Sequence, residues 1–190
     1  MRLEKPRIEP VDLERLDDEQ RRVLAPMLER GRVLNIFLTM ARKPKALERF
    51  LAWGGYVLSR RNSMPPRERE LAILRVGFNC RAGYEWTQHV PIGRDAGLSD
   101  DEIAAIKQGA VAHSWSDGDR AILNAVDDLT RDFFVSDHAW AALRQWWSEE
   151  QAADLVYTVG QYTQVSMALN SFGVQLDEGQ TLDPDLAVGR

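Results

Sequence analysis

Helix start signals recur along this 190-residue chain and constrain its fold more than any other feature. Four serines stand at predicted helix starts, and three of them are followed three residues later by Glu, Asp or Gln: Ser99, Ser116, Ser136 and Ser148. Prolines stand where a first helical turn accepts them, at Pro44 and Pro66. No alternation of apolar and polar residues with a period of two is sustained. The sequence therefore predicts an all-α bundle of seven or eight helices.

The predicted helices follow one another without a linker that would divide the chain. They begin near Asp17, Pro44, Pro66, Tyr84, Ser99, Ser116, Ser136 and Glu149. A chain of this length buries a core without disulfides or metals, so one compact domain is expected. Within it we distinguish an N-terminal helical extension (residues 1–44), a main part with C-terminal helices (residues 45–176) and a polar, loose tail (residues 177–190).

Charge and cysteine content exclude several classes of protein. The formal net charge is −5, from 24 basic and 29 acidic residues, which argues against a nucleic-acid partner. The single cysteine, Cys80, has no second cysteine for an internal disulfide, which is compatible with a reducing compartment. No segment has the roughly 20 apolar residues of a membrane span, and the N-terminus lacks an apolar core of a signal peptide. We expect a cytoplasmic protein without a membrane partner.

The candidate chemistry lies in Glu85 and His89, which are four residues apart and so share one face of a helix. A carboxylate beside an imidazole fixes the ring tautomer and raises its basicity, which suits proton transfer near neutral pH. Glu70 joins them only if its helix packs against theirs. Two carboxylates at one site would raise the pKa of one of them. The alternative is an exposed i,i+4 pair, but Tyr84 and Trp86 are too apolar for a solvated helix.

The spacing of Glu70, Glu85 and His89 resembles the signature of the carboxymuconolactone decarboxylase and alkylhydroperoxidase D-like superfamily. The peroxidase branch has two cysteines in this signature, and their places hold Ala82 and Glu85 here. The decarboxylase branch has a glutamate at the second place, as this chain does. Residues 97–103 (Gly-Leu-Ser-Asp-Asp-Glu-Ile) resemble a helix start of the same family. The resemblance is strongest over roughly residues 45–125.

The resemblance implies an alkylhydroperoxidase D-like bundle and a carboxymuconolactone decarboxylase-like lyase without a cofactor, with a role in the catabolism of aromatic compounds. Its substrate would be a small carboxylic acid or lactone, which undergoes decarboxylation or a related proton transfer. In this hypothesis His89 is the general acid, Glu85 poises it and Glu70 relays or holds a second proton.

Three further side chains are candidates for substrate binding. Arg75 follows Glu70 by five residues and would pair with a substrate carboxylate, or else form a structural salt bridge. Tyr84 and Trp86 flank Glu85 and are candidate walls of the pocket. The resemblance also implies a homo-oligomer, a trimer or a hexamer. Clustered tryptophans on the predicted C-terminal helices indicate core packing or a subunit contact, and as a second alternative a ligand site.

Several alternatives stay open at the level of sequence. One alternative is a helical oligomer that binds a small ligand without turnover. Another is a peroxidase, despite the missing cysteine pair. A metal site would use Glu70, Glu85 and His89, although no second histidine stands nearby. Cys80 matches neither cysteine place and is interpreted as a buried thiol. His113 and His138 have no ligand partners at useful spacing and are interpreted as surface residues.

Overall fold

The computed structural model describes residues 3–112 and 115–187, and in these residues the chain forms α-helices, three short 3₁₀-helices and no strand. The nine α-helices are α1 (Asp18–Leu28), α2 (Asn35–Met40), α3 (Pro44–Val57), α4 (Pro66–Asn79), α5 (Gly83–Asp95), α6 (Asp100–Ile106), α7 (Asp117–Asp132), α8 (Asp137–Trp146) and α9 (Glu149–Phe172). The all-α prediction is confirmed. None of these helices, in the ranges described, has the length and apolar character that crossing a bilayer requires.

The helices begin where the sequence signals predicted. Ser99 and Ser148 each form a complete capping box with the residue three places later, and Ser116 and Ser136 accept a backbone N–H at their helix starts. Eight of the helices correspond to the eight predicted ones. The additional helix is α2, a six-residue element without a side-chain cap and therefore without a sequence signal.

Helix α4 lies at the centre of the bundle, in contact with α5, α7 and α9. Five of its apolar residues are completely buried: Leu71, Ala72, Ile73, Leu74 and Val76. They belong to a large core to which helices α4 to α9 contribute. Residues 69–74 of α4 are buried without a break; six consecutive residues span more than one helical turn, so Arg69 and Glu70 lie inside the protein.

The N-terminal segment has an apolar cluster of its own. Its buried members come from the residues before α1, from α1 itself, and from the region of α2 and α3: Val11, Leu16, Leu24, Ala41 and Leu47. Phe37 and Phe50 pack against both this cluster and the main core. The N-terminal segment is thus folded onto the bundle through side chains of α2 and α3.

The C-terminal tail, expected to be loose, is attached to the bundle over the part that the structure describes. The Asp177 carboxylate accepts hydrogen bonds from Tyr84 Oη (2.7 Å), Gln88 Nε2 (2.6 Å) and the backbone N–H of Asn35 (2.8 Å). Farther along, the Lys107 ammonium lies 2.6 Å from the Asp183 carboxylate. The polar composition of the tail predicted that it is loose. Composition does not indicate that Asp177 and Asp183 have partners far away in the sequence.

Candidate active site

Glu70, Glu85 and His89 meet inside the protein. A hydrogen bond of 2.7 Å joins Nδ1 of His89 and Oε2 of Glu70, and Nε2 of His89 lies 2.9 Å from Oε1 of Glu85. The three residues are only 2%, 3% and 6% exposed in the order Glu70, Glu85, His89. The imidazole is therefore held between two buried carboxylates, one on each ring nitrogen.

Close packing of α4 against α5 brings Glu70 to the imidazole. A Cβ added at Gly93 on α5 would lie 3.1 Å from Cδ1 of Leu74 and 3.9 Å from Cβ of Glu70. Glycine at this place lets the two helices approach, because a larger residue would displace the side chains of α4. Helix α5 continues through Pro91 between His89 and Gly93, although proline removes one of its backbone hydrogen bonds.

The two carboxylates hold a proton on the imidazole. Burial on its own lowers the pKa of His89, but the charge of Glu85 and the hydrogen bond that the ring donates to Glu70 outweigh it and raise this pKa from 6.5 to about 10. His89 is therefore an imidazolium at neutral pH. In this state both ring nitrogens donate, and the site contains an acid and a carboxylate base in contact.

A cavity of about 390 Å³ opens beside this cluster. Glu85 and His89 line it and Glu70 does not, so Glu70 lies behind the imidazole as seen from the cavity. The apolar lining residues are Met27, Leu34, Ile36, Phe37, Phe50, Leu51, Leu58, Ile92 and Val165. Five of these precede residue 51, so the N-terminal segment and α3 form a wall of the cavity. This size and lining are typical of a small-molecule site.

Sequence reasoning missed two cavity residues on α9, Gln161 and Tyr162. The ring of Tyr162 meets that of His89 edge to face, with 5.0 Å between centroids and an interplanar angle of 85°. Burial, together with the charges of Glu85 and Glu70, raises the pKa of Tyr162 well above its ordinary value, so its hydroxyl keeps its proton. Gln161 is a buried amide on α9. The sequence predicted this helix only by its start near Glu149 and gave no signal for either residue.

Tyr84, a predicted pocket wall, lines the cavity. Its hydroxyl donates to Asp177 and accepts a long hydrogen bond (3.4 Å) from the backbone N–H of Ile36. Burial and the bond to Asp177 raise the pKa of Tyr84 far above its ordinary value. This residue therefore ties α2, α5 and the C-terminal tail together at the edge of the cavity.

Arg75 and Trp86 lie elsewhere. The Arg75 guanidinium donates two hydrogen bonds to the Asp127 carboxylate, of 2.6 and 2.9 Å, and a third of 2.7 Å to the carbonyl of Ile106. Trp86 is 3% exposed and packs against Phe78, with 5.7 Å between ring centroids. Neither lines the cavity beside His89. For Arg75 the structure has the salt bridge that was the alternative to substrate binding.

The remaining reactive side chains are also outside the cavity. Cys80 caps the end of α4, is partly buried against the core and takes no part in a disulfide. His138 is exposed on α8, whereas His113 lies outside the described residues. Within residues 3–112 and 115–187, no group of three or more His, Cys, Asp and Glu side chains has a geometry that could hold a metal ion. Both nitrogens of His89 already face carboxylates.

Known proteins resemble this chain in part of its sequence and in its fold. Residues 44–128 match the carboxymuconolactone decarboxylase family. The matched segment contains α3 to α6 and most of α7, and with them Glu70, Glu85 and His89. No curated protein sequence is significantly similar to the chain.

Solved structures share the fold over nearly the whole chain. A peroxidase-related protein from Silicibacter sp. TM1040 has a TM-score of 0.78 at 15% identity, over 93% of this chain and 95% of that one. A peroxidase-related protein with an AhpD core from Ralstonia eutropha JMP134 has a TM-score of 0.76 at 19% identity, over 90% and 93%. The debrominase Bmp8 in complex with 2,3,4-tribromopyrrole has a TM-score of 0.74 at 15% identity, over 92% and 94%.

The fold is thus an AhpD-like helical bundle, as the resemblance in the sequence implied. Its central helices, over residues 44–128, are similar in sequence to the carboxymuconolactone decarboxylase family.

Proposed function

We propose that this protein is an enzyme that transfers protons to or from carbon on a small organic molecule bound beside His89. The observation that carries the proposal is an imidazole held between two buried carboxylates on the wall of an apolar cavity. Buried titratable groups with opposed charges in a cleft are typical of acid–base sites. In the terms of the superfamily, the reaction is a carboxymuconolactone decarboxylase-like decarboxylation, or a related proton transfer on a small carboxylic acid or lactone.

Each residue of the cluster has a distinct role in the proposed reaction. His89, as an imidazolium at the cavity wall, donates a proton to the carbon or oxygen on which negative charge develops. Glu85 lines the same cavity and accepts a proton from the substrate, or returns one to His89. Glu70 does not reach the cavity; it orients the ring through Nδ1 and stabilises the imidazolium, as a relay and positioning residue. Tyr162 covers the ring edge and excludes water.

The cavity supports a small ring or chain as the substrate. Its apolar walls remove water from the reacting atoms, which strengthens the electrostatic interactions of Glu85 and His89 with them. Bmp8, which shares this fold, holds a small brominated pyrrole, and this supports a compact ring in the present cavity. Cys80 lies outside the cavity, so the proposal uses no thiol and does not extend the peroxidase name of the neighbouring structures to this chain.

The test is proton exchange at carbon. Unsaturated lactones and carboxylic acids are incubated with the protein in deuterated water and followed by NMR, beside the variants His89→Gln and His138→Gln. We expect deuterium incorporation or release of carbon dioxide in the wild type and in His138→Gln, which alters an exposed histidine, and its loss in His89→Gln. Equal exchange by the wild type and His89→Gln would contradict the proposal.

The second candidate is a ligand-binding protein without turnover, in which the cluster is a buried polar network. Both nitrogens of His89 have partners within the protein, and a satisfied network of this kind also stabilises a fold. The deuterium exchange experiment distinguishes the enzyme from the ligand-binding protein, because only the ligand-binding protein is expected to bind and release ligands without any exchange at carbon.

We further propose that the protein is a homo-oligomer, a trimer or a hexamer. Trp146 and Phe133 are 57% and 75% exposed, and large exposed apolar side chains favour a subunit contact. Light scattering after size-exclusion chromatography tests this: a monomer of 21.6 kDa would contradict it.

A further inference from the structure

One wall of the cavity carries a polar atom for which the protein supplies no partner. Gln161 on α9 is 4% exposed, and its side-chain oxygen Oε1 has no hydrogen-bond partner among the described residues. Its amide nitrogen lies against α3, 3.4 Å from where a Cβ would stand at Gly54. A buried acceptor without a donor is unfavourable, because the hydrogen bonds that it made with water are lost. Since other atoms of Gln161 line the cavity, a ligand that reaches this amide from the cavity can supply the donor.

The rest of the lining offers little to a charged ligand. Half of the lining residues are apolar side chains, and Phe37 and Phe50 give the cavity two aromatic walls. Among the described lining residues the only cationic side chain besides His89 is Arg30, which is exposed to solvent. A carboxylate bound deep in the cavity would therefore lose its hydration without a buried guanidinium or ammonium beside it.

The charges of the cluster of Glu70, Glu85 and His89 also disfavour an anionic ligand. Glu70 and Glu85 supply two carboxylates against the one imidazolium of His89, and it is Glu85 that lines the cavity. Arg69, on α4, is buried and close enough to act on Tyr162, but it does not line the cavity. An anionic group near His89 would thus face the like charge of Glu85 at short range.

We propose that the cavity takes an uncharged, mainly apolar molecule whose one O–H or N–H group donates a hydrogen bond to Oε1 of Gln161. This inference rests on the proposed function, because it takes the cavity beside His89 as the substrate site. Within the proposed function it favours proton transfer over the loss of a carboxylate, and it favours enols, phenols and N–H compounds over carboxylic acids as substrates.

Three probes of similar shape test the two parts of the inference. Para-ethylphenol has the donor, para-ethylanisole lacks it, and para-ethylbenzoate carries a charge. Dissociation constants are measured by isothermal titration calorimetry for the wild type, for Gln161→Leu and for the control Gln164→Leu, which alters an exposed glutamine on the same helix. We expect the wild type to bind the phenol about tenfold more tightly than the anisole, with the benzoate weakest. Gln161→Leu should bring phenol and anisole to about the same affinity, and Gln164→Leu should keep the difference.

Tightest binding of the benzoate, equal binding of phenol and anisole by the wild type, or no binding of any probe would overturn the inference. The wild-type comparison needs no variant, so a poorly folded Gln161→Leu does not remove the test. The His89→Gln variant separates this inference from the proposed function. Retention of the phenol preference with no His89-dependent exchange at carbon refutes the proposed function alone. If exchange at carbon depends on His89 but compounds with and without the donor bind equally well, the inference alone is refuted.

Discussion

Replacement of Glu70 by glutamine should lower the pKa of His89 while the imidazole stays in the cavity wall. This pKa stands at about 10 against an ordinary 6.5, which corresponds to about 5 kcal/mol in favour of the imidazolium. A carboxylate within hydrogen-bond distance changes a neighbouring pKa by about 1 to 3. Burial opposes the charged ring, so the effects of both carboxylates are needed to reach a pKa of about 10. Removal of one should therefore lower the pKa of His89 by about 1 to 3.

NMR of the imidazole nitrogens as a function of pH measures this effect directly. The chain has three histidines, and His89 is assigned as the resonance that the His89→Gln variant lacks. The control Asp95→Asn removes an exposed carboxylate from the same helix as His89. This change should leave the pKa of His89 unchanged. A wild-type His89 that titrates near 6.5, or a Glu70→Gln variant with the wild-type pKa, would refute the electrostatic argument for the cluster.

Two other predictions concern stability. Because folding raises the pKa of His89 from 6.5 to about 10, its imidazolium stabilises the protein fully below about pH 6.5, and this contribution is lost as the pH rises to 10. In urea unfolding, the stability of the wild type relative to His89→Gln should fall by a few kcal/mol across that range, and a constant difference would contradict the raised pKa. Gly93→Val should destabilise the protein by about 1–3 kcal/mol in the same assay, because the added atoms meet Leu74. The control Gly160→Ala adds a Cβ that meets nothing within 4 Å, so it should be neutral or stabilising by up to about 1 kcal/mol. Equal changes in stability for Gly93→Val and Gly160→Ala would show that α4 and α5 are not tightly packed at Gly93.

The parts of the fold that sequence predicted are those that depend on neighbouring residues. A capping box joins Ser99 and Glu102 within one turn, so it can be recognised without knowledge of the rest of the chain. The pairing of Glu85 with His89 is local in the same way. The approach of Glu70 to His89 depends on how α4 packs against α5, and only the resemblance to the superfamily indicated it.

The side chains that were hardest to place are those whose direction depends on helix rotation. Arg75 follows Glu70 by five residues, which turns it about 140° around α4, and it meets Asp127 instead of the cavity. Trp86 is turned by about 100° from Glu85 and faces Phe78. Helical spacing alone gives these angles, but which side of each helix faces the cavity is decided by tertiary packing.

The cavity walls were beyond sequence reasoning for another reason. Their residues come from segments far apart in the chain, from Met27 near the N-terminus to Val165 on α9. No local pattern marks a residue such as Phe37 as part of a wall, since an apolar side chain on a short helix serves a core equally well. The N-terminal extension was predicted as part of one compact domain without a role in the site, and in the structure Met27, Leu34 and Phe37 of this extension line the cavity.

The separate apolar cluster of the N-terminal segment has a practical consequence for protein engineering. The acid–base groups stand on α4 and α5, whereas Leu34 and Phe37, which shape the cavity, stand on a segment stabilised in part by Val11, Leu24 and Leu47. Recombination of residues 3–43 with those of another bundle of this fold should therefore change this apolar wall of the cavity and leave Glu70, Glu85 and His89 in place. Libraries that aim to reshape this wall are best confined to that segment and the facing turns of α3.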